Sequence, residues 1–164
     1  MRIFHPIGSI AVFLGAVSFF LTTVRSGSTP IRFEFKSIPF RLENDLTPAR
    51  NAPESMPGGV AAFDYNRDGR MDIFFANGAN IATLKKDSPK YRNRLFRNDG
   101  NGAFTDVTEA AGLAGIGYDT GVAVGDFDND GWPDLFVTGV HGNTLYRNNK
   151  DGTFANVTAK AGLD

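Results

Sequence analysis

From Gly121 to Val137 the chain reads GVAVGDFDNDGWPDLFV, with bulky Val122 and Val124 alternating with small Ala123 and Gly125 ahead of a polar turn. Alternation with a period of two predicts a β-strand with one bulky and one small face, and Leu135-Phe136-Val137 beyond the turn predicts its partner. The unit is expected to be a β-hairpin. The same pattern stands 62 residues upstream as Gly59 to Phe75, GVAAFDYNRDGRMDIFF. Leu95 to Leu113, LFRNDGNGAFTDVTEAAGL, and Leu145 to Leu163, LYRNNKDGTFANVTAKAGL, match at ten of nineteen positions with an offset of 50 residues. The offset falls from 62 to 50 because the first copy carries about a dozen extra residues between Asn77 and Arg94. Each copy thus reads strand, polar loop, strand, strand, Gly-rich turn, strand, and a short Thr-capped turn ending in Ala-Gly-Leu.

Four strands per repeat is the content of one propeller blade. The expected fold is all-β, a partial β-propeller of about two four-stranded blades after an N-terminal hydrophobic helix. Residues 1–25 are read as a signal peptide or signal anchor, 26–57 as a Pro-rich linker with a possible strand, 58–119 as the first repeat and 120–164 as the second.

The polar turns carry the candidate chemistry. Asp126, Asp128, Asp130 and Asp134 fall at positions 1, 3, 5 and 9 of the second loop, with Gly131 at position 6. In the first loop Asp64, Asn66, Asp68 and Asp72 take the same positions, with Gly69 at position 6. Oxygen ligands on alternate residues of a tight turn converge on one hard cation, and the glycine supplies the sharp turn. The carbonyls of Arg70 and Trp132, at position 7, complete the two candidate ligand sets. Zinc would want Cys or His; the chain has no Cys, and His5 and His141 lie outside the loops. An EF-hand needs a bidentate Glu at position 12, but Val137 stands there in a predicted strand. Two Ca²⁺ ions are therefore expected. A solvated Asp-Gly turn is the plain alternative for one loop, and two loops in register weigh against it. Loop two has four carboxylates and no basic residue, whereas loop one has three and carries Arg67 and Arg70. Loop two is expected to bind more tightly.

The pairing of these DxDxDGxxD loops with LFRNDGxGxFxDVTxxAGL segments resembles the FG-GAP/VCBS repeats of integrin-α-type β-propellers, and within them the cartilage acidic protein (ASPIC/UnbV) group. The resemblance runs from about Pro53 to Asp164 and includes a Pro-Glu-Ser/Thr-Met-Gly-Gly lead-in, matched by Pro53-Glu54-Ser55-Met56-Pro57-Gly58-Gly59 with Pro57 inserted. It implies calcium at both loops and a propeller commonly of seven blades. Two departures matter: about two blades are present, and the ASPIC/UnbV segment is absent. Since stacked repeats bury their faces on neighbours, the chain is read as an N-terminal fragment, ahead of assembly from several short chains.

Between Arg2 and Arg25 there is no charged residue, and Ile7 to Val24 is dominated by aliphatic and Phe side chains. Its length lies between a secretory core and a full membrane span. Cleaved signal and uncleaved anchor both export the rest of the chain, as a secreted, periplasmic or membrane-anchored cell-surface protein. Contact with a membrane is expected only through this segment if it is retained. A net charge of −1 and a pI near 6.1 point away from nucleic acid. Without cysteine no disulfide braces the fold.

Thr29 to Pro57 holds five of the eight prolines. Ile31-Arg-Phe-Glu-Phe alternates and suggests a strand, and Asn44 to Pro57 is read as a loop packed over the first blade. The insertion places Lys85, Lys86, Lys90, Arg92, Arg94 and Arg97 against one Asp87. Such insertions often sit on a binding face, and charge runs often merely solvate; both readings stand. His141 is read as a turn residue, and the Asn156-Val157-Thr158 sequon as a chance match in a strand. Clustered carboxylates are committed to the loops, while Asp106, Glu109 and Asp119 show no paired spacing, so no enzyme is expected. An exported calcium-binding module engaging a glycan or protein ranks first, a structural scaffold second, and a polysaccharide-active enzyme a distant third.

Overall fold

The computed structural model describes residues 31–163, so the apolar segment, the helix expected of it and His5 lie outside the described residues. The chain divides into two units, Met1–Glu34 and Phe35–Asp164. Residues 31–35 form no strand, contrary to the alternation of Ile31, Phe33 and Phe35, all three of which are exposed. Alternation alone does not make a strand where no partner supplies ladder hydrogen bonds.

The second unit holds two four-stranded antiparallel sheets in sequence order. The first comprises β1 (Gly59–Phe63), β2 (Asp72–Ala76), β3 (Arg94–Gly100) and β4 (Ala103–Asp106), followed by the single-turn helix α1 (Thr108–Ala111). The second comprises β5 (Asp119–Gly125), β6 (Asp134–Gly139), β7 (Gly142–Asn148) and β8 (Phe154–Asn156). The register repeats along with the sequence. Val60 opposite Phe75 becomes Val122 opposite Val137, Phe74 opposite Leu95 becomes Phe136 opposite Leu145, and Asn98 opposite Phe104 becomes Asn148 opposite Phe154. These sheets are two blades of a partial β-propeller.

The core lies between the blades. Phe63, Phe74 and Leu95 of the first blade, with Ala111 and Leu113 after it, pack against Leu135, Val137, Tyr146 and Phe154 of the second. Apolar side chains on alternate residues put every second one on this seam. The innermost strands meet at equivalent glycines. A Cβ on Gly59 would lie 2.8 Å from the Gly121 Cα, so no larger residue fits without parting the blades.

Thr108 and Thr158 do not cap the turns that follow the blades. Their hydroxyls accept the Leu95 and Leu145 N–H groups at 2.9 and 3.0 Å, tying each turn to the third strand of its own blade. They in turn donate to Asp106 and Asn156. Asn156, the sequon residue, ends β8. The segment before the first blade packs as expected. Asn44 donates to the Glu54 carbonyl, its own carbonyl accepts the Tyr118 hydroxyl, and Phe40 stacks on Phe75 with ring centroids 4.3 Å apart. Glu54, in the lead-in, is buried and accepts from the backbone and side chains of both Thr47 and Asn51. The Thr47 N–H bond leads in holding its carboxyl down to about 2, against the cost of burial.

Candidate metal centre

Both polar loops fold by the same set of local bonds. The position 1 carboxylate folds back on its own loop: Asp64 accepts the N–H groups of Asp68 and Gly69 at 3.0 and 2.8 Å, and Asp126 those of Asp130 and Gly131 at 2.9 and 2.8 Å. The position 5 carboxylate accepts the position 7 N–H, Arg70 to Asp68 and Trp132 to Asp130, both at 2.9 Å. Gly69 and Gly131 sit at φ of 84° and 86°, and Arg67 and Asn129 at 59° and 56°, so position 6 takes the left-handed conformation that glycine allows without strain. Asx-type bonds of this kind are why Asp, Asn and Gly dominate such turns.

Position 9 does something different. Asp72 and Asp134 are buried at the base of their loops. Asp72 accepts Tyr65 N–H at 3.1 Å and Asn98 N–H at 2.8 Å, and Asp134 accepts Phe127 and Asn148 at the same distances. Each carboxylate therefore stitches its loop to β3 or β7. Burial raises both carboxyls above the ordinary range, against the pull of these N–H bonds. In loop two, one ligand oxygen each from Asp126, Asp128 and Asp130 lie within 4.8 Å of one another, and Asp134 is outside that group. In loop one the corresponding set contains Asn66, whose Nδ2 donates to Asp68 at 3.0 Å.

Counting charge within each loop misses a neighbour. Lys150, in the β7–β8 turn, places Nζ 3.1 Å from Asp130 Oδ2, while in loop one the Arg70 guanidinium lies 2.7 Å from Asp68 Oδ2. Burial works to raise both aspartates, yet the Lys150 and Trp132 bonds hold Asp130 down, as those from Asn66 and Arg70 hold Asp68. Arg67 turns away from its own loop and stacks over the Trp132 ring at 5.3 Å. The charge difference expected between the loops is therefore smaller in three dimensions than along the chain. The repeat match at Asn98 and Asn148 was a legible signal of their partnership with position 9. Lys150 carried none.

The insertion between β2 and β3 is not a free basic patch. The Lys86 side chain is buried, and its Nζ donates to the carbonyls of Asn77, Gly78 and Tyr91 at 2.7–2.9 Å. The same Nζ lies 3.4 Å from Asp119 Oδ2. Burial pushes the Lys86 ammonium down and the Asp119 carboxyl up, each partly offset by the other's charge. Arg92, Arg94 and Arg97 pair with Glu109, Asp106 and Asp99. His141 closes the β6–β7 turn at φ of 63°.

A family model described as FG-GAP-like repeat matches residues 64–137 and 126–163, each match opening on the first aspartate of a loop. No curated protein matches the chain.

Proposed function

The chain belongs to the FG-GAP-like repeat family, and on that premise we propose that it is an exported calcium-binding propeller module, related to the cartilage acidic protein group, that engages an extracellular glycan or protein. The convergence of Asp126, Asp128 and Asp130 oxygens within 4.8 Å carries this reading. An all-oxygen donor set on a loop of this shape suits a hard cation. Asp126, Asp128, Asp130 and the Trp132 carbonyl would hold one ion, and Asp64, Asn66, Asp68 and the Arg70 carbonyl the other, with Asp72 and Asp134 anchoring the loops from beneath. Calcium would supply the crosslink that cysteine does not. A metal-free scaffold is the second reading, favoured by the N–H bonds that already hold Asp126 and Asp134. Catalysis is not assigned, since Asp106, Glu109 and Asp119 are engaged by Thr108, Arg92 and Lys86.

Trp132 is the sole tryptophan and stands in loop two, so it reports on that loop. Terbium added to the protein is expected to luminesce on tryptophan excitation, calcium to quench the signal by competition, and Asp128→Ala to abolish it. Absence of sensitised emission, or emission indifferent to Asp128→Ala, would favour the scaffold. Export is tested separately by fusing residues 1–30 to a reporter, which is expected to cross the cytoplasmic membrane.

A further inference from the structure

The blade ends opposite the two loops carry a polar groove with its own unspent chemistry. Five of the six basic side chains in the insertion and the start of β3 are engaged: Lys86 with Asp119, three arginines with acidic partners, and Lys90 over the Tyr91 ring at 4.4 Å. Lys85 is exposed and makes no ion pair among the described residues. It lines a cavity of about 440 Å³ that has His141, Asn143 and Thr144 on the facing wall. Asp119, only 5% exposed, also lines it. Its Oδ2 accepts Asn93 Nδ2 at 2.8 Å and faces Lys86. No hydrogen bond reaches Oδ1 from the described residues. Because none of their enclosed side-chain oxygens lacks a partner, Oδ1 keeps some exposure to solvent, beside Gly139. A second cavity of about 350 Å³ shares Ile116, Asn143 and Thr144 with the first and continues to Asn156. Asn156 Oδ1 is taken by Thr158, which leaves its N–H₂ group to face outward.

We propose that this groove binds an acidic oligosaccharide, with a uronate carboxylate on Lys85, a ring hydroxyl donating to Asp119 Oδ1, and the Asn143 and Asn156 amides contacting the adjoining units. Lys86 already balances Asp119, so the uncompensated charge in the groove is the Lys85 ammonium, which selects an anion. The Asp119 oxygen that has no protein partner is available to accept from a ligand hydroxyl. A sugar acid offers both groups on one ring. The groove crosses the ends of β5 to β8 and runs along no edge strand, so it presents no ladder of main-chain groups to an extended peptide.

The proposal deepens the binding-module reading and rests on it for the ligand class. The test is calorimetric titration of the calcium-equilibrated full chain with a tetrasaccharide of alternating glucuronate and N-acetylglucosamine, beside its methyl-esterified form. The acid form is expected to bind, and esterification or Lys85→Ala to weaken it about tenfold, as for loss of one charge-assisted contact. Lys85→Arg is expected to retain most of the affinity, and Asn143→Ala to lose a smaller part; neither touches the buried pair. No binding of the acid form, equal binding of its ester, an unaffected Lys85→Ala, or equal competition by tetraglutamate would overturn the proposal. Terbium luminescence from loop two, run on calcium-free aliquots of the same protein, separates the two failures. Emission without saccharide binding sinks only the groove, and saccharide binding without emission sinks only the calcium reading.

Discussion

The first and second blades present the same face under different circumstances. On the first, Tyr65 and Leu113 are 5% and 0% exposed beneath the second blade; their equivalents on the second, Phe127 and Leu163, are 49% and 44% exposed. Phe74 is fully buried, while its counterpart Phe136 lines a shallow open hollow with Phe127 and Leu145. The residues are of one kind and the strands in one register, so a covering neighbour decides which apolar positions are core.

The largest effect that sharpens this comparison is expected from truncating the paired phenylalanines. Phe74→Ala should cost about 3–5 kcal/mol in denaturant unfolding, as for a buried aromatic. Phe136→Ala should cost well under half as much. Equal losses would mean that the open face is covered in solution.

The buried Lys86–Asp119 pair ties the insertion of the first blade to the first strand of the second, which has no such insertion of its own. Lys86→Met should destabilise by about 3 kcal/mol by leaving Asp119 buried beside an apolar chain. Adding Asp119→Asn should recover much of the loss, and a double variant no better than the single would refute the pairing.

The two loops should differ modestly. Asp130→Ala is expected to weaken calcium-dependent stabilisation more than Asp68→Ala, because loop two keeps four carboxylates to three. Lys150→Met should tighten calcium at loop two by about two- to fivefold, the size of one exposed charge pair. Calorimetric titration of the three variants decides, and an unchanged affinity in Lys150→Met would show that the lysine swings clear when the ion binds.

The smallest expected effect lies at the lead-in to the first blade. Glu54 has its carboxyl lowered from 4.5 to about 2 by Thr47 and Asn51. A depressed folded value means that the stabilisation is complete above about 4.5 and is lost as pH falls toward 2. Melting temperature should therefore fall more steeply between pH 5 and 2 in the native chain than in Glu54→Gln; parallel curves would discount the carboxylate.

Local pattern determined a great deal. Alternation around a DxDxDG turn gives a hairpin wherever it occurs, because side-chain period and turn chemistry are properties of adjacent residues, and the repeated offset announced two equivalent four-stranded blades. The position 1, 3 and 5 oxygens of loop two were legible for the same reason. Tertiary structure decided what depends on distant residues. It sent Asp134 into the bond network of β7, brought Lys150 to Asp130 and Arg67 to Trp132, and folded a basic run into a buried clamp on Asp119. It also left Ile31, Phe33 and Phe35 exposed despite their strand-like alternation. Charge and burial act through space, so a count taken along the chain sees them only when the partners are also neighbours in sequence.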